Sequence, residues 1–216
     1  MIKEIPEYQI LLKEIEGYKK LLNQQRRAIK SVKERIQCLE KKYQFVFDIF
    51  SATIGDFELE DRIHLLLKNV GYQNVIHLKE DTRNPDIVID YCNFKTVIEV
   101  KNTKNSSISE NEMFQIVKYK NRYQDDFKNL IVRGILVLNH DNQLQPSERN
   151  KNPFDLYRHR DAILNSYSIV TTTELLSAFL LLQKEELTLQ EFEKVVHSYG
   201  VVKFSKKFVK KCLSSL

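Results

Sequence analysis

The chain has 216 residues, 42% hydrophobic and 10% aromatic, which is enough for one core of ordinary size plus an extension and excludes general disorder. Thirty-four Lys and Arg against 29 Asp and Glu leave a formal net charge of +5, and three scattered cysteines, Cys38, Cys92 and Cys212, exclude a disulfide scaffold or a Cys-based zinc site and point to a reducing cytoplasm. No apolar run nears the roughly 20 residues of a membrane span, and Met1-Ile2-Lys3-Glu4 has no apolar stretch of the secretory kind, so a cytoplasmic location without membrane contact is expected.

The charge is unevenly placed. Residues 1–50 hold eleven Lys/Arg against seven Asp/Glu, residues 203–211 hold five lysines and no acid, and the stretch 51–202 is net about −4. A charge run is often just a solvated face; two basic ends around an acidic centre also suit a polyanionic partner.

Residues 7–48 read as one long helix. One row, Tyr8, Ile15, Leu22, Ile29, Ile36 and Tyr43, and a second, Leu11, Tyr18, Gln25, Val32, Leu39 and Val46, fit the two apolar positions of a heptad, with charges between them. Two uses of such a helix stay open: a parallel coiled coil that makes a homodimer through residues 8–46, or a single helix folded back on its own domain. The heptad stops near Ile54-Gly55-Asp56. A shorter amphipathic helix is expected over 59–70, with Gly71 as its stop. Strands follow at 75–78, 87–91 and 96–100, the last two joined as a hairpin through residues 92–95. Ser109 and Glu112 form a capping box that opens a helix running to about residue 123. A buried strand at 131–138 comes next, then a polar loop over 140–153 containing Pro146 and Pro153. A helix over 155–164, a strand over 168–172 and a helix over 173–182 follow. A second capping box, Thr188 with Glu191, starts a last helix to about residue 199. A hairpin followed by strand–helix alternation implies an α/β fold, a mixed sheet flanked by helices. The expected divisions are a coiled-coil helix over 1–50, a core over 51–185 and a basic helical extension over 186–216.

The chemistry-bearing pattern is Asn84-Pro85-Asp86, then Glu99-Val100-Lys101 after twelve further residues. Side chains alternate along a strand, so Val97, Glu99 and Lys101 share one face. Burying an acid or a lysine alone is costly, so the two need each other, a metal or a ligand. The hairpin folds Asp86 back toward Glu99 and Lys101, and two carboxylates and an ammonium converge at one edge of the sheet. The bland reading is a surface salt bridge. The alternative is phosphodiester hydrolysis, with carboxylates holding Mg²⁺ and a lysine orienting the attacking water.

Pro85-Asp86 with Glu99-Val100-Lys101 resembles the signature of the PD-(D/E)xK nuclease superfamily, which includes restriction endonucleases, recombination exonucleases and phage-defence effectors. The segment Leu59-Glu60-Asp61 with Ile63, Leu66, Leu67 and Gly71-Tyr72 is similar to the first core helix of Mrr-type restriction endonucleases, as is 134–140 to their strand and exit loop. Gln115 and Tyr119, four apart on one helix face, resemble the Gln-x-x-x-Tyr element of exonuclease-like members. Asn84 and Ile87 stand where glycines often flank the first aspartate. The resemblance covers about residues 57–182. It implies a restriction-endonuclease-like fold, Asp86, Glu99, Lys101 and Glu60 as catalytic residues, and Glu60, Asp86 and Glu99 as ligands of Mg²⁺, with Mn²⁺ as a substitute. Asp61 and Glu58 compete with Glu60 for the helix position, and Gln115 and Tyr119 would grip substrate. It further implies a DNA endonuclease in bacterial or phage restriction or defence, with an RNA-cleaving enzyme and an inactive DNA-binding or assembly module as alternatives.

The remaining histidines carry less. His140 and His159, with Arg149, Arg158 and Arg160, read as a solvated loop that could touch a phosphate backbone. His64 reads as structural, and His77 and His197 have no partner by spacing. No Ser-His-Asp arrangement, P-loop or dinucleotide fingerprint is visible, so any ATP dependence would come from an activating partner protein.

Overall fold

The computed structural model describes residues 5–78, 83–91, 93–205, 208, 209 and 212; Cys92 and four lysines of the basic tail, Lys206, Lys207, Lys210 and Lys211, lie outside them. The chain divides into two compact units, Met1–Gln44 and Phe45–Leu216.

The first unit is most of a 43-residue helix, α1 (Pro6–Asp48). Proline suits its first turn, where the missing N–H would have had no helical partner. Both heptad rows are exposed over this stretch: Leu11, Ile15, Leu22, Ile29, Val32, Ile36 and Leu39 are each about half accessible.

In the second unit the last turns of α1 bury Phe45 and Ile49, and Phe45 meets Phe179 edge to face at 6.1 Å. Helix α2 (Asp56–Val70) begins three residues before the apolar pattern does, because Glu58 Oε2 accepts the Gly55 N–H at 3.3 Å and holds the first turn. Next come β1 (Asn74–His77), β2 (Ile87–Tyr91), β3 (Phe94–Asn102), α3 (Glu110–Asp126), β4 (Ile131–Asn139), α4 (Leu156–Leu164), β5 (Tyr167–Thr171), α5 (Thr172–Gln183), α6 (Leu189–Val196) and β6 (Gly200–Val201). The two capping boxes form at α3 and α6: Ser109 N–H reaches Glu112 at 2.7 Å, and Thr188 N–H reaches Glu191 at 2.8 Å.

The six strands lie in the order β1-β2-β3-β4-β5-β6. The pairs β1–β2 and β2–β3 are antiparallel and the other three parallel, so the sheet is mixed, as expected. The hairpin is tighter than the sequence implies, because the strand pairing already begins with Tyr91 opposite Phe94. One sheet face carries Val97, Leu136, Leu138 and Ile169 against Met113 and Ile116 of α3 and Ala162 of α4. The other carries Thr96, Ile98, Val100, Ile135 and Val137, and α2, α5 and α6 cover it. The last helix stops at Val196, short of the expected end, and β6 then adds to the sheet beside β5. A two-residue strand has no periodicity to detect, and Gly200 at φ +94° breaks any helix before it.

Candidate active site

The unbroken register of β3 against β4, from Phe94 opposite Ile131 to Asn102 opposite Asn139, keeps Val97, Glu99 and Lys101 on the face that α3 covers. In the β2–β3 hairpin Ile87 lies opposite Ile98, which brings Asp86 level with Glu99. Asp86 is fixed there at both ends: its carbonyl accepts the Leu78 N–H at 2.9 Å, and its Oδ2 accepts the Val100 N–H at 2.7 Å. Lys101 Nζ donates to Glu99 Oε1 at 2.6 Å. A cleft of about 450 Å³ is lined by Glu60, Asp86, Glu99, Lys101, Gln115 and Tyr119 together, with Asp56, Phe57, Leu78 and Asn84 completing it. All six residues singled out from the sequence therefore meet in one place.

The cleft holds more acid than its lysine offsets. Burial, then the charges of Glu99 and Glu60, push the Asp86 carboxyl up to about 7, against the pull of the Val100 N–H and Lys101. Burial also raises Glu99, although Lys101 opposes it. Glu99 Oε2 is buried and has no hydrogen-bond partner, and so is Gln115 Oε1. Oriented, unsatisfied oxygens beside a surplus of carboxylates are what a hard cation takes. Among the described residues no group of three or more His, Cys, Asp or Glu side chains is placed to hold a metal ion.

The three acids at the start of α2 have separate fates. Glu58 holds the helix cap. Glu60 is only 8% exposed and lines the cleft. Both Glu60 and Asp61 are held by His77 on β1: Nε2 lies 3.0 Å from Glu60 Oε2, and Nδ1 lies 2.9 Å from Asp61 Oδ1. His77 is one of the two histidines that spacing leaves without a partner; its bonds cross from an edge strand to a helix, and no local pattern announces them. A second group missed by sequence is Arg122, which donates to Asn84 Oδ1 at 3.0 Å and lies over the Tyr119 ring at 5.4 Å, two residues that line the cleft.

The other histidines lie apart from the cleft. His197 is in the core beside Phe94, and burial pushes it down to about 3. His64 bonds the Val75 carbonyl at 3.1 Å. The polar loop after β4 is largely exposed, as expected, from 143 to 152, but its first residues and Arg149 are buried. Asn139, His140, Asp141, Asn142 and Arg149 are all at least nine-tenths buried. His140 Nε2 donates to the Asn150 carbonyl at 2.8 Å, and Asp141 accepts from Ser106 Oγ at 2.9 Å and from Asn150 N–H at 3.0 Å. Composition read the loop as solvent-facing, but these few side chains turn inward and bond one another and the ends of β3 and β4.

No protein-family model matches the chain, and neither does any curated protein. Among solved structures it is similar to the restriction endonuclease FokI, with 17% identity over 69% of this chain and 28% of that one and a TM-score of 0.52. It is likewise similar to FokI bound to DNA, with 16% identity over 74% of this chain and 30% of that one and a TM-score of 0.50. The chain thus spans less than a third of the length of FokI. At such identities the likeness speaks for architecture, and with the sheet order and helix placement above it establishes that the chain has a restriction-endonuclease-like fold.

Proposed function

We propose that the protein is a divalent-metal-dependent nuclease that hydrolyses phosphodiester bonds, with DNA as its substrate, in bacterial or phage restriction or defence. The observation that carries the reading is the convergence of Glu60, Asp86, Glu99 and Lys101 on one cleft whose acid charge Lys101 does not offset. Glu60, Asp86 and Glu99 would hold Mg²⁺, or Mn²⁺ in its place, through hard oxygen donors. When bound, the ion supplies Lewis acidity at the scissile phosphate and offsets charge in the transition state. Lys101, steadied by Glu99 Oε1, orients the attacking water and stabilises developing negative charge. Gln115 and Tyr119, on the α3 wall, grip the substrate backbone.

The similar FokI structure holds DNA, which favours DNA over RNA. The exposed heptad rows of α1 favour a homodimer through residues 8–46, with each catalytic unit cutting one strand of a duplex. An activating partner protein and a cytoplasmic setting belong to the same reading.

The test is a gel assay of plasmid, linear duplex, single-stranded DNA and RNA with Mg²⁺. Glu99→Ala and Lys101→Ala should each lower cleavage by about a hundredfold or more while the fold is kept. Undiminished cutting by both variants sinks the proposal. DNA retention without cutting in Mg²⁺ or Mn²⁺ would leave a binding module in its place.

A further inference from the structure

A second cavity, of about 670 Å³, lies beyond the carboxyl ends of β5 and β6 and shares no lining residue with the catalytic cleft. Open α/β sheets take ligands at such strand ends. Two helix starts contribute to its wall: Asp155 and Leu156 at the head of α4, and Thr171 and Thr173 at the head of α5. Helix N-termini favour anions.

A buried cation on the same wall is the independent sign of a ligand. Arg149 is 4% exposed and lines the cavity. Its Nη1 donates to Asn139 Oδ1 at 2.6 Å and approaches Thr172 Oγ1 at 3.5 Å, and its Nε donates to the Leu144 carbonyl at 3.1 Å. Its Nη2 is buried without a hydrogen-bond partner, and the guanidinium lies 5.2 Å from the Phe50 ring centre. No described carboxylate forms an ion pair with it. Burial pushes its pKa down, against the opposing charge of nearby Asp141, so the charge is held there at a cost that Asp141 only partly offsets.

The two acids on the wall are already engaged. Asp155 accepts from the backbone and the guanidinium of Arg158 at 2.8 and 2.9 Å, and Glu174 Oε2 accepts the Phe204 N–H at 2.7 Å. Lys203, also on the wall, donates to Asn152 Oδ1 at 2.6 Å and pairs with no described carboxylate. His159 accepts the Val201 N–H on Nδ1 at 2.9 Å, so when neutral it carries its proton on Nε2 as a donor. A side chain at residue 200 would come within 2.7 Å of the His159 ring, so only Gly200 lets the imidazole sit there. Pro146, Pro153, Phe154 and Val202 supply an apolar side.

We propose that this cavity binds a phosphate-bearing ligand of mononucleotide size, its phosphate toward Arg149 and Lys203 and its base against the Pro153–Phe154 side. The volume falls within the range of small-molecule sites. The source is either a free nucleotide or a nucleotide of a nucleic acid strand.

Calorimetry on the full chain in EDTA, with adenosine 5′-monophosphate, inorganic phosphate and a short duplex as probes, tests it. Adenosine 5′-monophosphate and phosphate should both bind, compete with each other and need no metal. Arg149→Met and Lys203→Glu should each weaken binding by roughly tenfold or more, the loss of one charge-assisted hydrogen bond. Arg149 also anchors buried groups, so Lys203→Glu, at the cavity mouth, serves if the first variant fails to fold. Binding of the duplex alone, weakened by Lys203→Glu, would sustain the site with a strand as its source. Absence of phosphate and nucleotide binding at millimolar concentration, with duplex binding untouched by Lys203→Glu, overturns the proposal, as does equal binding by both variants.

Discussion

Replacing Asp86 by Asn should make the metal-free protein more stable while removing its response to Mg²⁺. Asp86 is buried among like charges, and its carboxyl is raised from 3.8 to about 7. An acid with a higher pKa folded than unfolded holds its proton more tightly in the fold. Its contribution to stability is whole below about pH 3.8 and is lost as pH rises through about 7. The gap of about 3 units, at 1.36 kcal/mol per unit, sets a ceiling of about 4 kcal/mol on what ionised Asp86 costs near pH 8. Relaxation around a carboxylate at a cleft mouth lowers that figure, so a gain of about 1–3 kcal/mol is expected. Asparagine keeps an oxygen to accept the Val100 N–H, so the substitution removes charge without breaking the strand contact.

Thermal unfolding in EDTA near pH 5 and near pH 8 measures this. At about 2–4 °C per kcal/mol for a chain of this size, the variant should melt several degrees above the parent near pH 8 and much closer to it near pH 5. Added Mg²⁺ should raise the parent's melting temperature most near pH 8, where the carboxylates are ionised, and leave the variant nearly unmoved. A variant no more stable than the parent near pH 8 without metal would refute the claim that the cleft stores uncompensated acid charge.

Removing residues 1–44 should leave the folded second unit and convert a dimer to a monomer by mass measurement; a truncated protein that keeps a dimer mass refutes the role given to α1. Substituting His77 by Ala should free Glu60 and lower Mg²⁺ affinity by about 10–100-fold, read from Mg²⁺-dependent stabilisation; unchanged affinity would mean that the histidine does not position Glu60. Gly134→Val should cost about 1–3 kcal/mol in urea unfolding, because a Cβ at residue 134 already meets Ile116 at 3.1 Å and Tyr167 at 3.2 Å; a neutral effect would show that α3 does not rest closely on β4.

What the sequence made legible was local. Alternation along residues 97–101 puts Glu99 and Lys101 on one face, a short turn returns Asp86 to them, and the two capping boxes date the starts of α3 and α6. Each depends on neighbours a few residues apart, where strand and helix geometry leave little choice. The unread parts depend on contacts far apart in sequence. His77 reaches back to Glu60 and Asp61 across a helix and a turn, and Asn139 meets Asn102 at 2.9 Å and Arg149 at 2.6 Å. Polar composition marked residues 140–153 as solvent-facing and missed that His140, Asp141, Asn142 and Arg149 turn inward, because it records which groups need hydrogen bonds, not where they find them.

The same division sets how firmly each part of the cleft is held. Glu99 and Lys101 ride on the central strand β3, which is paired along its whole length with β4 and along its first five residues with β2. Asp86 is tied to that strand by one backbone hydrogen bond and to the end of β1 by another. Glu60 comes from a separate element, and His77 on the four-residue edge strand β1 ties it to the sheet. An edge strand has a ladder on one side only and opens at lower free energy than a central one. Loosening of β1 would therefore withdraw Glu60 first and leave Asp86, Glu99 and Lys101 in register, so the fourth member of the cluster is the one through which an approaching substrate or partner could alter the site.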